Sequence, residues 1–153
     1  PAGAAQAGGL SDLWPALAAQ LRVLSQLGVD VLIDLGRLGH THFATPLARA
    51  ADELLLAMRS DLPAVAAVAA AEVPSGAPVR GLLIGPNRPY TAHAVASVIK
   101  REVSTSLPWA PEEAAVLSHG QPEPKRGLKL RKALRQAAEE LHTTSITALG
   151  VSA

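Results

Sequence analysis

Asp34 lies near the end of the apolar run Val29–Leu35 and is followed two positions later by Gly36, in the stretch VDVLIDLGRLG. Apolar, β-branched residues closed by glycine suit a buried parallel strand, and an open parallel sheet takes ligands beyond the carboxyl ends of its strands. A carboxylate placed there suits magnesium, which takes oxygen ligands in near-octahedral geometry and keeps waters that a carboxylate can orient. Gly36, without a Cβ, lets the backbone come close to a phosphate. Arg37 beside it serves equally as a phosphate contact or as a solvated cation. An aspartate at a strand end is also an ordinary turn or helix-capping residue, so the run by itself leaves both roles open.

Other chemistry-bearing residues are weaker signals. His40 and His42, in GHTH, could face one metal, but a zinc site needs further ligands and none is adjacent. His93, His119 and His142 stand alone and suit surface or helix-end roles. Ser97 to Lys100 spells Ser-x-x-Lys without the companion motifs of penicillin-recognising enzymes, and no Gly-x-Ser-x-Gly elbow occurs. Lys125, Arg126, Lys129, Arg131, Lys132 and Arg135 form a dense positive cluster. Of these, Lys129, Arg131, Lys132 and Arg135 are the candidates for contact with a DNA phosphate backbone. The cluster is explained more simply as the solvated face of a helix whose Leu130, Leu134 and Leu141 dock on the sheet, since no aromatic is interleaved for base stacking.

Composition narrows the class. The chain has 153 residues, a formal net charge of +1 and no cysteine. That length suits one domain able to bury about two-thirds of its unfolded surface. Without cysteine there is no disulfide, zinc-thiolate site or thiol nucleophile, and the expected location is the cytoplasm. Near-neutral charge argues against a polyanion binder over the whole surface. The longest apolar run, Leu62 to Val73, contains Pro63 and falls short of the roughly 20 residues of a membrane span. Residues 1–9, PAGAAQAGG, lack the basic and leucine-rich regions of a signal peptide and read as a flexible lead-in.

Two kinds of apolar segment alternate along the chain. Leu13, Leu17, Leu21 and Leu24 recur at helical spacing, with Ser11 or Asp12 near the N-cap and Gly28 closing the helix. VDVLIDLG is the first expected strand. Thr45-Pro46 supplies an N-cap and a first-turn proline for a short helix through Ala51, and ELLLAMR is the second strand. Ser60 or Asp61 caps a helix beginning Leu62-Pro63, and VRGLLIG is the third strand. Thr91 caps AHAVASVIKR, EVSTSLP is a fourth and more polar strand, and PEEAAVLSHG is a helix stopped by Gly120. The proline-rich QPEPKRG leads to a basic amphipathic helix, LKLRKALRQAAEELH. Strands alternating with helices imply an α/β fold, with a parallel sheet of about four strands flanked by helices. Residues 10–142 are expected to form one domain, and 143–153 a tail.

The segments VDVLIDLGRLG, ADELLLAMRSDLPAV, RGLLIGPNRPYTAHAV and STSLPWAPEEAAVLSHGQP occur in the order and at about the spacing seen in the MinD/ParA family of deviant P-loop ATPases. The resemblance is closest to the MinD-like proteins of actinobacteria and covers roughly residues 10 to 142; Leu107 to Pro122 is its most specific part. It implies that Asp34 is the Walker B carboxylate that orients magnesium through water and that Gly36 is the switch II glycine. It further implies that Gly85–Arg88 and Leu107–Pro111 are the loops around adenine, with Asn87, Arg88, Pro108 and Trp109 as the contacting residues. Two departures stand out. The strand expected to end in an adenine-reading asparagine ends Gly85-Pro86, which displaces Asn87 outward, and Ala110 stands where an aspartate is common in the family.

A phosphate-binding loop needs clustered glycines followed by lysine and Ser/Thr at a helix N-terminus, and no Gly-Lys dipeptide occurs in the chain. In the family that loop and its strand precede Walker B by about a hundred residues. The expectation is therefore the C-terminal half of such an ATPase, a partial P-loop fold lacking the phosphate-loop strand. The complete protein would use ATP and magnesium as a switch between monomer and homodimer in partitioning or positioning. The isolated chain would be catalytically silent and bind neither tightly, completed by an N-terminal half or a partner chain. The rival expectation is a P-loop-less regulatory or protein-interaction module. In the absence of the intervening strand, Val29–Leu35 is expected to pair directly with Glu53–Met58, or another chain to fill the slot.

Overall fold

Leu54, Leu56 and Met58 are buried, whereas Leu55 is half-buried and Ala57 and Arg59 are exposed, the period-two burial of a strand, and these residues form β1 (Leu54–Arg59). The structure, a computed structural model, describes residues 13–41, 43–74, 76–122 and 129–148. These fall into two compact units, one of residues up to Leu54 with Ala71–Pro78, the other of Leu55–Ala70 with Val79 onward.

In the first unit, α1 (Trp14–Gln26) packs against α2 (Thr45–Ala50). The buried stripe of α1 is not the leucine set that the helical spacing predicts. Leu13, Leu17 and Leu24 are exposed, whereas Ala18 is buried with Ala44 and Leu47, and Trp14, Leu21, Leu35 and Ala50 pack around them. Ala18 of α1 thus meets Leu47 of α2 and Ala44 at its cap, and the Trp14 ring packs against the same cluster. Thr45 is the first residue of α2 rather than its cap; Ala44 holds the cap position without a side-chain bond. Ser11 and Asp12, expected near the cap of α1, lie outside the described residues.

The predicted strand Val29–Leu35 is not a strand. Val29 N–H donates to Leu24 O at 3.2 Å, prolonging the end of α1. Val29, Val31, Leu32 and Ile33 are all exposed, Leu32 by 91%, and Leu35 turns onto the helical core. An apolar run becomes a strand only where a neighbour takes up its backbone groups. Here no described strand does so, and Gly28 and Gly36, at φ 75° and 72°, break the extended path at both ends. The expected pairing with Glu53–Met58 is correspondingly absent among the described residues. Leu32→Asp should therefore leave the urea midpoint almost unchanged, within about 0.5 kcal/mol of the parent. A loss above about 2 kcal/mol would place Leu32 in a core.

The second unit is the α/β part. Its three-stranded parallel sheet has the order β1-β2-β3, with β2 (Val79–Ile84) central and β3 (Val103–Leu107) on its far side. The chain crosses from β1 to β2 through α3 (Leu62–Ala70) and from β2 to β3 through α4 (Ala92–Ile99). Three of the four expected strands are thus observed. The register pairs Leu82 with Thr105, Leu83 with Ser106 and Ile84 with Leu107, after an irregularity next to Gly81. A Cβ on Gly81 would stand 3.3 Å from Val103 Cγ2 and 3.4 Å from Ile99 Cδ1, so glycine permits the close approach of β3 and α4 there.

Capping follows local chemistry. Ala64 N–H donates to Asp61 Oδ1 at 3.0 Å and Ala94 N–H to Thr91 Oγ1 at 3.2 Å, so Asp61 and Thr91 cap α3 and α4. α5 (Pro111–His119) carries Glu112 and Glu113 in its first turn and stops at Gly120, φ 62°. Glu113 also reaches the start of α6 (Lys129–Ala148), its two carboxylate oxygens accepting from Lys129 N–H at 3.1 Å and Leu130 N–H at 2.9 Å. An anion at a helix N-terminus satisfies orphan donors and complements the dipole. α6 buries Leu130 and Ala137 and packs on β3 and α5. Among the described residues no helix is long and apolar enough to cross a membrane.

Candidate functional site at the carboxyl ends of the strands

Parallel strands deliver their last residues to one end of the sheet. β1 runs into Ser60, β2 into Gly85 and β3 into Pro108 and Trp109. Ser60 is 1% exposed, the only polar residue in the buried set among the described residues. Its backbone N–H donates to Ile84 O at 3.3 Å and its carbonyl accepts from Tyr90 N–H at 3.3 Å. Its hydroxyl donates to Gly85 O and accepts from Arg88 N–H at 3.1 Å. Each polar group of the residue is thus occupied, as burial requires.

The loop Gly85–Tyr90 rises from these bonds. Gly85 N–H donates to Leu107 O at 2.8 Å, and Asn87 N–H to Tyr90 O at 2.8 Å. Asn87 adopts φ 64°, a left-handed conformation that asparagine tolerates better than most residues. The Arg88–Pro89 peptide is cis. Asn87, Arg88, Pro89 and Tyr90 are exposed, so the loop's shape comes from hydrogen bonds rather than from a core of its own. The Arg88 guanidinium carbon lies 5.9 Å from the centroid of the Trp109 ring, a cation–π distance contributing about 0.5–1 kcal/mol at an exposed site.

Of the residues singled out by sequence, Arg88 and Trp109 are brought into contact, with Asn87 in the same loop and the half-buried Pro108 beside Trp109. Asp34 and Gly36 belong to the first unit. There Gly36 N–H donates to Asp34 Oδ1 at 2.8 Å, closing a two-residue turn in an exposed segment. A single exposed carboxylate with one oxygen engaged by its neighbour does not of itself fit a magnesium ion. No group of three or more His, Asp or Glu is arranged for a metal among the described residues, and His42 lies outside them. Lys129, Arg131, Lys132 and Arg135 are exposed on α6, on turns whose opposite side buries Leu130 and Ala137; Lys125 and Arg126 lie outside the described residues.

Sequence reasoning missed Ser60 and Tyr90. A signal for Ser60 was present: Ser60-Asp61 offers two caps where α3 needs one, which leaves the other side chain for a different task. A cleft of about 580 Å³ elsewhere in the second unit is lined by Arg80 on β2, Glu102 just before β3, Ser104 on β3, and Gln136 and Glu139 on α6. None of the candidate site residues named from the sequence lines it. The strand-end loop is the better candidate because its exposed side chains are held by a buried polar anchor. Comparison with models of protein families, with curated proteins and with solved structures gives no match to this chain.

Proposed function

We propose that this chain supplies the base-contacting portion of a MinD/ParA-like nucleotide-dependent switch, inactive alone, whose phosphate-binding portion lies in other polypeptide. The observation that carries this reading is the anchored loop setting Arg88 over Trp109 beside the ends of β2 and β3. Parallel α/β sheets take ligands at that end, and an exposed indole with a guanidinium on it offers flat surfaces for a purine. The site residues of the reading are Asn87, Arg88, Pro108 and Trp109, and by resemblance alone Asp34 and Gly36 are the Walker B carboxylate and switch glycine of a completed protein. ATP and magnesium would be its cofactors, bound by the whole and not tightly by this chain. In this chain there is no Gly-Lys element to hold a triphosphate.

Calorimetry with Mg-ATP tests it. A few hydrogen bonds of about 1 kcal/mol each, set against lost ligand freedom, give a Kd no tighter than about millimolar, equivalent to about 4 kcal/mol. Hydrolysis should be undetectable, and Asp34→Ala should change nothing measurable. Micromolar binding by this chain would mean that a phosphate site exists within it, and the reading would fall.

A second reading, a regulatory or protein-interaction module, is favoured by a separate observation. The chain has two Trp, one Tyr and one Phe, and it exposes Tyr90 by 38% and Trp109 by 45% at this one end of the sheet. Trp, Tyr and Arg are the residues that most often dominate protein interfaces. A Trp109→Ala variant that loses a protein partner while the unaltered chain ignores adenosine would select this reading.

A further inference from the structure

We propose that Ser60 is the positioning residue of the strand-end site: its buried hydroxyl latches the Gly85–Tyr90 loop to the end of β1 and thereby sets Arg88 over Trp109, so that a planar aromatic ligand meets a preformed surface. The ligand class rests on the nucleotide reading above; the latch does not.

Three features of Ser60 support the assignment. It precedes α3 where a helix cap is expected, yet Asp61 performs the capping, with Ala64 N–H on its carboxylate at 3.0 Å. The Ser60 hydroxyl is instead spent on positions 25 and 28 residues further along, Gly85 O and Arg88 N–H. Those two bonds hold the loop's entry and its middle, while the Ser60 carbonyl holds its exit through Tyr90 N–H. One residue thus fixes three points of a six-residue loop.

The consequence for Arg88 is geometric. Its backbone is pinned at the amide, and its Cδ lies 3.4 Å from the place a Gly85 Cβ would occupy. With the amide held there, the exposed side chain runs past Gly85 and brings the guanidinium carbon to 5.9 Å from the Trp109 ring centroid. Loop residues Asn87 to Tyr90 are exposed, so no apolar packing of their own would restore this arrangement after loss of the hydroxyl. A fully satisfied buried polar group specifies one conformation, and a half-satisfied one does not.

Amide exchange followed by NMR on the whole chain tests the latch. In the unaltered chain the Arg88 amide, although its residue is exposed, should exchange at least about tenfold more slowly than an unstructured amide. Unprotected exchange overturns the latch without any variant. Ser60→Ala should speed Arg88 exchange by about tenfold or more while Leu83 keeps its rate, and should shift the Trp109 indole N–H resonance. Ser60→Thr, which keeps the hydroxyl, should restore both. Equal acceleration at Arg88 and Leu83 would signal general destabilisation and overturn the positioning role. Adenosine separates the ligand from the latch. Ser60→Ala that binds adenosine as the parent does overturns the positioning role. Arg88 protection lost on Ser60→Ala and restored by Ser60→Thr, in a chain whose Trp109 resonance ignores millimolar adenosine, supports the latch and overturns only the nucleobase reading.

Discussion

Leu83→Ala should lower the unfolding free energy by about 3 kcal/mol, the middle of the range for a buried leucine cut to alanine. Leu83 is 0% exposed and lies on the central strand β2, opposite Ser106 in the ladder with β3. The loss has two parts: the apolar surface no longer removed from water, and the cavity left where strands on both sides resist collapse. A chain of this size has a total stability of only about 5–15 kcal/mol, so the change should move the urea midpoint substantially while leaving the slope unchanged. Ile84→Ala, one residue on and only half-buried, should cost less than half as much. Equal costs at 83 and 84 would mean that β2 does not have one deeply buried and one shallower face.

The apolar patterns of β1, β2 and β3 were legible because each is bounded by turn or capping residues and each finds a neighbour. Val29–Leu35 carries the same local signal and forms no strand. Hydrophobicity and β-branching report what a segment prefers if a ladder is available; they do not report whether one is. The first helix fails for a related reason. Leucine spacing marks a possible apolar face, but the partner decides which face is used, and Ala44 and Leu47 meet the stripe through Ala18. Leu130 on α6 behaves as read, buried on the side away from the basic residues, whereas Leu134 remains 38% exposed. Ala137 takes its place one turn on, being two turns from Leu130 and hence on the same face.

At the candidate site, Arg88 and Trp109 were reachable from sequence only through family resemblance, since they stand 21 residues apart on separate loops. What brings them together is the parallel order of β2 and β3, which fixes Gly85 beside Leu107. Ser60 was harder to read because serine before a helix has an ordinary explanation. Its real environment depends on β1 lying next to β2, a tertiary fact. The exposed charges and turn residues of the loop, by contrast, were visible as Gly-Pro-Asn-Arg-Pro, a density of turn formers that no strand or helix could absorb.

Gly85→Val should be the most damaging single change in the loop, costing about 3 kcal/mol or more, from two sources that separate variants can resolve. The first is backbone. Gly85 sits at φ 69°, where an L-residue loses about 1–2 kcal/mol and a β-branched one more. The second is packing. An added Cβ would stand 3.3 Å from Trp109 Cβ and 3.4 Å from Arg88 Cδ, close enough that both must yield, and valine's two methyls extend further into them. Gly120 provides the control, with φ 62° but nothing within 4 Å of its Cβ position. Gly120→Val therefore carries the backbone cost alone, and the difference between the two variants in urea unfolding measures the contact of Gly85 with Trp109 and Arg88. Because the Gly85 carbonyl also receives the Ser60 hydroxyl, displacement of this residue should shift the Trp109 indole resonance as Ser60→Ala does. Equal destabilisation by Gly85→Val and Gly120→Val would remove the packing from the account, and with it the claim that the loop is built against the indole.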